Sequence, residues 1–154
     1  MASMDFSRIT DDLYIGDTPS RGDYQQLHDL GVRLVINMRL ERPPLPDMLK
    51  SPIKFVWLPT IDSPGLVIPI VFLAYGARAA LDCIDKGGKV YAHCQRGRHR
   101  GVAMGAAILI AQGVDAEQAM SLIKECRPDA DPYIFYIRSR ILRFEKTYKK
   151  ALMK

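Results

Sequence analysis

Cysteine is scarce. The chain holds three, Cys83, Cys94 and Cys126, an odd number at wide spacings. They offer neither a disulfide framework nor a paired zinc motif, so a reducing, cytoplasmic setting is expected. Long apolar runs are also missing. The longest, 65–77, contains Pro69 and runs into Arg78, Asp82 and Asp85. It is shorter than the ~20 residues a membrane span needs and reads as a buried helix, so no transmembrane segment is expected. Residues 1–10 include Asp5 and no apolar h-region, so no signal peptide is visible. There is no internal repeat and no low-complexity tract. The only proline-rich patch, Arg42-Pro43-Pro44-Leu45-Pro46, is too short for an interdomain linker and reads as a surface loop.

What is present describes one globular domain over residues 1–154. Hydrophobic residues make up 48% and charged residues 25%, which excludes disordered, collagen-like and coiled-coil chains. The net charge of +5 favours anionic partners without choosing among phosphate esters, nucleic acid and membrane surface. Because the basic residues cluster in one loop and no aromatic-interleaved stacking surface is evident, nucleic acid is not an obligate partner. A monomer is expected.

Short β-rich runs alternate with amphipathic stretches. Leu13-Tyr14-Ile15, Leu34-Val35-Ile36, Phe55-Val56-Trp57-Leu58 and Val90-Tyr91-Ala92 read as strands. Ser20 with Asp23 resembles a capping box ahead of a helix that Gly31 stops. Further helices are predicted over 69–86, closed by Gly87-Gly88, and over 102–112. Asp115 with Gln118 resembles a second capping box, and Pro132 is placed at the first position of a last helix over 132–148. This alternation predicts an α/β fold, a central, mostly parallel twisted sheet of about five strands flanked by helices. Ligands in such sheets bind beyond the carboxyl ends of the strands.

One loop stands at such an end: His93-Cys94-Gln95-Arg96-Gly97-Arg98-His99-Arg100, between a buried strand and an apolar helix. Three arginines in so short a loop cost energy unless an anion offsets them. A loop curling back before a helix turns successive N–H groups inward, and the helix N-terminus adds its partial positive charge. Gly97 permits a backbone conformation that other residues resist. Arg100 has a planar fork that suits two phosphoryl oxygens. Cys94 faces the same dipole, amides and arginines, all of which favour thiolate over thiol. A thiolate beneath a bound phosphoryl group is a nucleophile in line for attack.

Cys-x5-Arg preceded by His, with Gly third after the Cys, resembles the phosphate-binding signature of the cysteine-based protein tyrosine and dual-specificity phosphatases. Leu13-Tyr14-Ile15-Gly16 resembles the opening strand and turn of the small atypical dual-specificity enzymes. The stretch from Gly31 to Arg39 resembles their second buried strand, and Cys126-Arg127-Pro128 the step before their final helix. The resemblance implies a phosphomonoester hydrolase with a phosphocysteine intermediate, independent of metal and with no cofactor. Cys94 is the implied nucleophile. Gln95, Arg96, Gly97, Arg98, His99 and Arg100 are the implied phosphate binders, and His93 orients the loop. It further implies a general acid on an upstream loop. Asp62 is the only carboxylate of the stretch 58–65. An acid that must be protonated for the first step predicts an optimum at roughly pH 5–6.5.

Two features depart from the family pattern. Gly101 stands where Ser or Thr usually follows the arginine, and residues 129–135 hold no Asn or Gln. The expected partner is a phosphorylated protein or another phosphomonoester, and the basic loop also suits phosphoinositides or RNA 5′ phosphates. A phosphate-reading binding module, weakened in catalysis at Gly101, and a sulfurtransferase are the rival readings. Arg39, Glu41 and Arg42 read as a solvated loop.

Overall fold

The computed structural model describes residues 4–44 and 52–153. The end of the proline-rich loop, Leu45-Pro46, and residues 1–3 lie outside them. Five strands form one mixed sheet in the order β1-β2-β5-β3-β4, where β1 is Phe6–Arg8, β2 Leu13–Gly16, β3 Val32–Arg39, β4 Lys54–Thr60 and β5 Lys89–His93. β2, β5, β3 and β4 pair in parallel, and β1 alone runs antiparallel, against β2. Nothing in the periodicity announced β1, because its three residues are half-exposed and read as a polar terminus.

Alternation along the strands divides the interior in two. Leu13 and Ile15, Leu34 and Ile36, Val90 and Ala92 point into a large core beneath helices α2 (Ile70–Asp85), α3 (Arg100–Ala111), α4 (Ala116–Cys126) and α5 (Phe135–Leu152). Tyr14, Val35 and Tyr91 point the other way, into a smaller cluster with Leu27 of α1 (Tyr24–Asp29). Two apolar faces on each strand are what a sheet covered on both sides requires. From Arg100 to Ile110 every residue of α3 is buried, so it is the central helix and packs all round. Each of its Ile and Leu side chains stabilises the fold by roughly 1.5–3 kcal/mol.

Local signals hold in part. Asp23 accepts from both N–H and Oγ of Ser20, at 2.8 and 2.9 Å, and opens a 3-10 turn ahead of α1. Pro69 sits at the N-cap of α2. The stretch 65–77 is not one buried helix: Leu66 and Val67 lie exposed in a loop, and within α2 Val71 and Tyr75 face outward. The second capping box does not form, because Asp115 turns to Lys149 of α5 and the Ala116 N–H donates instead to Glu145, at 2.6 Å. α5 starts at Phe135 rather than Pro132. The Asp131 carboxylate accepts the Ile134 N–H at 3.2 Å, and Ile134 itself is extended, so Pro132 belongs to a preceding turn.

The parallel registers matter for function. His93 pairs with both Gly16 and Asn37, and Arg39 pairs with Thr60. The carboxyl ends of β2, β5, β3 and β4 therefore come level at one edge. The chain leaving each of them meets over the start of α3.

Candidate active site

Residues 94–99 link β5 to α3, and His99 is the N-cap residue of α3. Gly97 turns the loop with φ +67°, in the left-handed region. A Cβ there would also meet the Gly16 carbonyl carbon and oxygen at 2.7 Å. Buried Arg127 holds the turn from behind, donating to the carbonyls of Gly97 at 2.9 Å and Arg96 at 2.8 Å. Its remaining reach goes to Ser7 and Asp5 at 3.0 and 3.1 Å, which ties the loop to β1 and the chain before it. The Asp131 N–H donates to Arg98 O, and Arg98 Nε to Asp129 O. None of the N–H groups of residues 95–99 donates to an acceptor among the described residues. The loop is fastened through its carbonyls and keeps its amides free.

The cleft this loop forms is about 200 Å³ and is lined by Cys94, Gln95, Arg96, Arg98, His99, Arg100 and, from the β4–α2 loop, Asp62. Seven of the nine predicted site residues thus meet in one place. The other two do not line it. Gly97 lies at the back of the turn, and His93 is buried behind the loop with Nδ1 3.4 Å from Cys94 O. Burial pushes the His93 imidazole down to about 3, outweighing that hydrogen bond, and the Arg39, Arg100 and Arg42 charges act in the same direction. His93 therefore stands behind the loop as a neutral imidazole.

Cys94 is 4% exposed at the carboxyl end of β5. Arg100 is 2% exposed, and one edge of its guanidinium carries nearly all its bonds. Nη1 donates to Thr60 O at 2.7 Å, Glu41 Oε1 at 3.0 Å and Met38 O at 3.3 Å. Among the described residues, Nη2 has one long contact, 3.5 Å to Glu41, and buried Nε has no partner. A buried charged donor left unpaired is costly and points to an anion as its partner.

Glu41 is thus a solvent-exposed loop residue that also pairs with a buried arginine. Partial burial pushes its carboxyl up, but the Arg100 hydrogen bond and charge and the Arg39 hydrogen bond outweigh this and hold it below the usual value. Arg39, also read as solvated, donates to Glu41 at 3.2 Å and to Thr18 Oγ1 at 2.7 Å, and Thr18 donates to Cys94 O at 3.0 Å. A chain of polar contacts so runs from Arg100 round to the Cys94 backbone. Of the three residues, Glu41 and Arg42 are exposed while Arg39 is half-buried at the end of β3, and the Arg42 carbonyl accepts from Asn37.

Asp62 accepts two hydrogen bonds, Oδ1 from the Tyr136 hydroxyl at 2.7 Å and Oδ2 from His99 Nδ1 at 3.0 Å. Burial pushes its carboxyl up, but these donors and the charges of His99 and Arg100 together pull it below the ordinary carboxylate value. Tyr136 was not among the predicted residues. Among the described residues, no group of three or more His, Cys, Asp or Glu side chains gathers in a way that could hold a metal ion. No helix of the described chain is long and apolar enough to cross a membrane.

A five-stranded sheet whose Cys94–His99 loop runs into a buried helix defines a class, and comparison with known proteins agrees with it. The family model "dual specificity phosphatase, catalytic domain" matches residues 13–146. The chain belongs to this family of cysteine-dependent dual-specificity phosphatases, as a small atypical member of the cysteine-based protein tyrosine phosphatase superfamily. Mouse dual specificity phosphatase 28 is 24% identical over 144 residues, covering 92% of this chain and 85% of the mouse protein. The crystal structure of human DUSP28 superposes with a TM-score of 0.81 at 23% identity, over 94% of this chain and 95% of that one. The structure of PTPMT1 in complex with PI(5)P gives a TM-score of 0.86 at 25% identity, over 96% and 98% of the two chains.

Proposed function

We propose that this phosphatase hydrolyses phosphomonoesters through a phosphocysteine on Cys94. The observation that carries the reading is the half-used fork of Arg100 beside Cys94: Nη1 is anchored, while among the described residues Nε has no partner and Nη2 only a long one. Nε and Nη2 take two phosphoryl oxygens, and the free amides of residues 95–99 take the rest, stabilising the charge that builds in the transition state. Cys94 Sγ attacks phosphorus, the ester oxygen departs, and Asp62 gives it a proton. Asp62, now a carboxylate, takes a proton from water. That water attacks the phosphocysteine, inorganic phosphate leaves, and the thiolate is restored.

The two donors on Asp62 favour its charged form, which suits the second step. They also require that the first step run at low pH or with the doubly charged substrate raising the proton affinity of the carboxyl. The acidic optimum expected from the sequence follows. Arg96 and Arg98 are exposed at the mouth of the cleft. They favour substrates with negative charge beyond the scissile phosphate, among them acidic phosphopeptides and phosphoinositides.

Hydrolysis of a small aryl phosphate over pH 4.5–8, with chelator present, tests the reading on wild type, Cys94→Ser and Asp62→Asn. Turnover that survives chelation and disappears in Cys94→Ser supports it. Wild type that binds inorganic phosphate without turnover replaces it with a phosphate-reading module.

A further inference from the structure

We infer that Tyr136 and His99 are positioning residues of the acid: the α5 hydroxyl and the phosphate-loop imidazole clamp the Asp62 carboxyl at the Cys94 cleft. The inference rests on Asp62 being the general acid, as proposed above. It starts from how weakly the acid loop is otherwise held. Among the described residues, the hydrogen bonds of 61–67 are local, Gly65 and Leu66 donating to Ser63, except the two to Asp62. Ile61, Leu66 and Val67 are 42%, 57% and 50% exposed, so little packing holds the tip of this loop. Asp62 is where the loop is fastened to the rest of the fold.

The two partners come from different elements and take different oxygens. Tyr136 stands in the first turn of α5 and His99 is the last residue before α3, and their rings meet edge to face at 5.7 Å. The Tyr136 hydroxyl also lies 3.3 Å from His99 Nδ1, so the three groups form one closed cluster. Two donors on two oxygens fix both the place and the rotation of a carboxyl. An acid that must deliver its proton to a departing oxygen within hydrogen-bond reach requires both. His99 adds that the acid is bound to the same loop that binds the phosphate, so the acid and the nucleophile keep their distance.

The charged and titratable groups that face Asp62 are His99 and Arg100 at the start of α3, Cys94, Arg96 and Arg98 of the loop sharing its cleft, and, from α5, Tyr136, which itself sees Asp131. Burial, and then the Asp62 hydrogen bond and charge, push the Tyr136 hydroxyl up to about 12, so it remains a donor across the working range. A donor to the carboxylate favours loss of the acid's proton. Removing it lets Asp62 keep the proton to higher pH, and the alkaline fall in activity moves upward. A merely structural tyrosine does not move it.

The experiment is the pH profile of kcat/KM for a small aryl phosphate on wild type, Tyr136→Phe, His99→Asn, Asp62→Asn and the double variant Tyr136→Phe/Asp62→Asn. The expected result is a roughly tenfold lower kcat/KM in Tyr136→Phe, with its alkaline limb displaced upward by about half to one pH unit. His99→Asn moves the limb in the same direction. In the Asp62→Asn background Tyr136→Phe costs nothing more, because the group it holds is gone. An unmoved limb in Tyr136→Phe, with its full loss repeated on Asp62→Asn, overturns the clamp and leaves Asp62 as the acid. An Asp62→Asn variant with wild-type rate and limb removes the acid assignment itself, and the clamp with it.

Discussion

Glu41 backs Arg100: its Oε1 lies 3.0 Å from Nη1 on the edge of the guanidinium away from Nε. Glu41 follows β3 and Arg100 opens α3, so the pair ties the site arginine to a neighbouring strand end. The Glu41 side chain is 45% exposed, and solvent screens the pair. Its share in holding the fork is about 1 kcal/mol by that measure. Glu41→Ala is expected to raise KM for an aryl phosphate roughly fivefold, with Glu41→Gln, which keeps one acceptor, affected less. Because the Glu41 carboxyl is held below its ordinary value, the clasp is present above that value and is lost only as pH falls through the depressed one. The KM difference between wild type and Glu41→Ala should therefore persist at pH 5. A KM equal in both at that pH would falsify this role.

Gly97 meets two constraints at once, a φ of +67° and a clearance of 2.7 Å to the Gly16 carbonyl. Gly97→Ala violates both. Stability should fall by ~2 kcal/mol or more, which lowers Tm by about 4–8 °C in a domain of this size. Phosphate affinity should fall as well, since the amides of 95–99 depend on this turn. Thermal melts with and without phosphate check both, and an unchanged Tm would show that the turn relaxes freely.

Gly101 packs its backbone against the base of the loop, where a Cβ would lie 3.3 Å from the Cys94 nitrogen and the His93 Cα. A serine there brings a hydroxyl toward Cys94 at the cost of a few tenths of an ångström of adjustment. In the proposed mechanism nothing at this position of the wild type donates to the departing thiolate. The phosphocysteine should then accumulate, and stopped-flow mixing should show a burst of released phenol. Gly101→Ser should shorten or erase the burst and raise kcat. Gly101→Ala, with the same crowding and no hydroxyl, should keep it. Equal bursts in both variants would remove any role for a hydroxyl here.

His93 makes the fold sensitive to acid. Its imidazole is pushed from 6.5 down to about 3 by burial. Below pH ~6.5 the unfolded chain takes up a proton that the folded chain refuses. The stability from neutral His93 is complete above the unfolded value and is lost as pH falls toward the folded one, at up to ~1.4 kcal/mol per pH unit. Denaturant titrations from pH 7 to 4 should show this slope, shallower in His93→Gln. A variant with the wild-type slope would place the acid sensitivity on other groups.

Much of the site was legible because the chemistry is local. Cys94 and Arg100 stand in one short loop, and the strand before it and the helix after it each carry their own hydrophobic pattern. Asp62 was found through the family resemblance and a single carboxylate in its loop. Glu41 and Tyr136 were not legible, since their partners lie 59 and 74 residues away. Glu41 looks like any charged residue after a strand, and its value comes from the guanidinium it meets. Arg127 could be seen only as part of a resemblance, though it holds the loop by two carbonyls.

The sequence by itself determined the alternation of strands and helices, the turn with its glycine between β5 and α3, and the cysteine and arginines that the turn carries. These depend on side-chain period, backbone conformation and neighbours within one loop. Only the tertiary structure decided which edge of Arg100 is already bonded, what holds Asp62, and that β1 closes the sheet antiparallel. Parallel pairing brings the strand ends level at one edge, and groups far apart in the chain acquire their hydrogen-bond partners there. A local pattern carries no information about those partners.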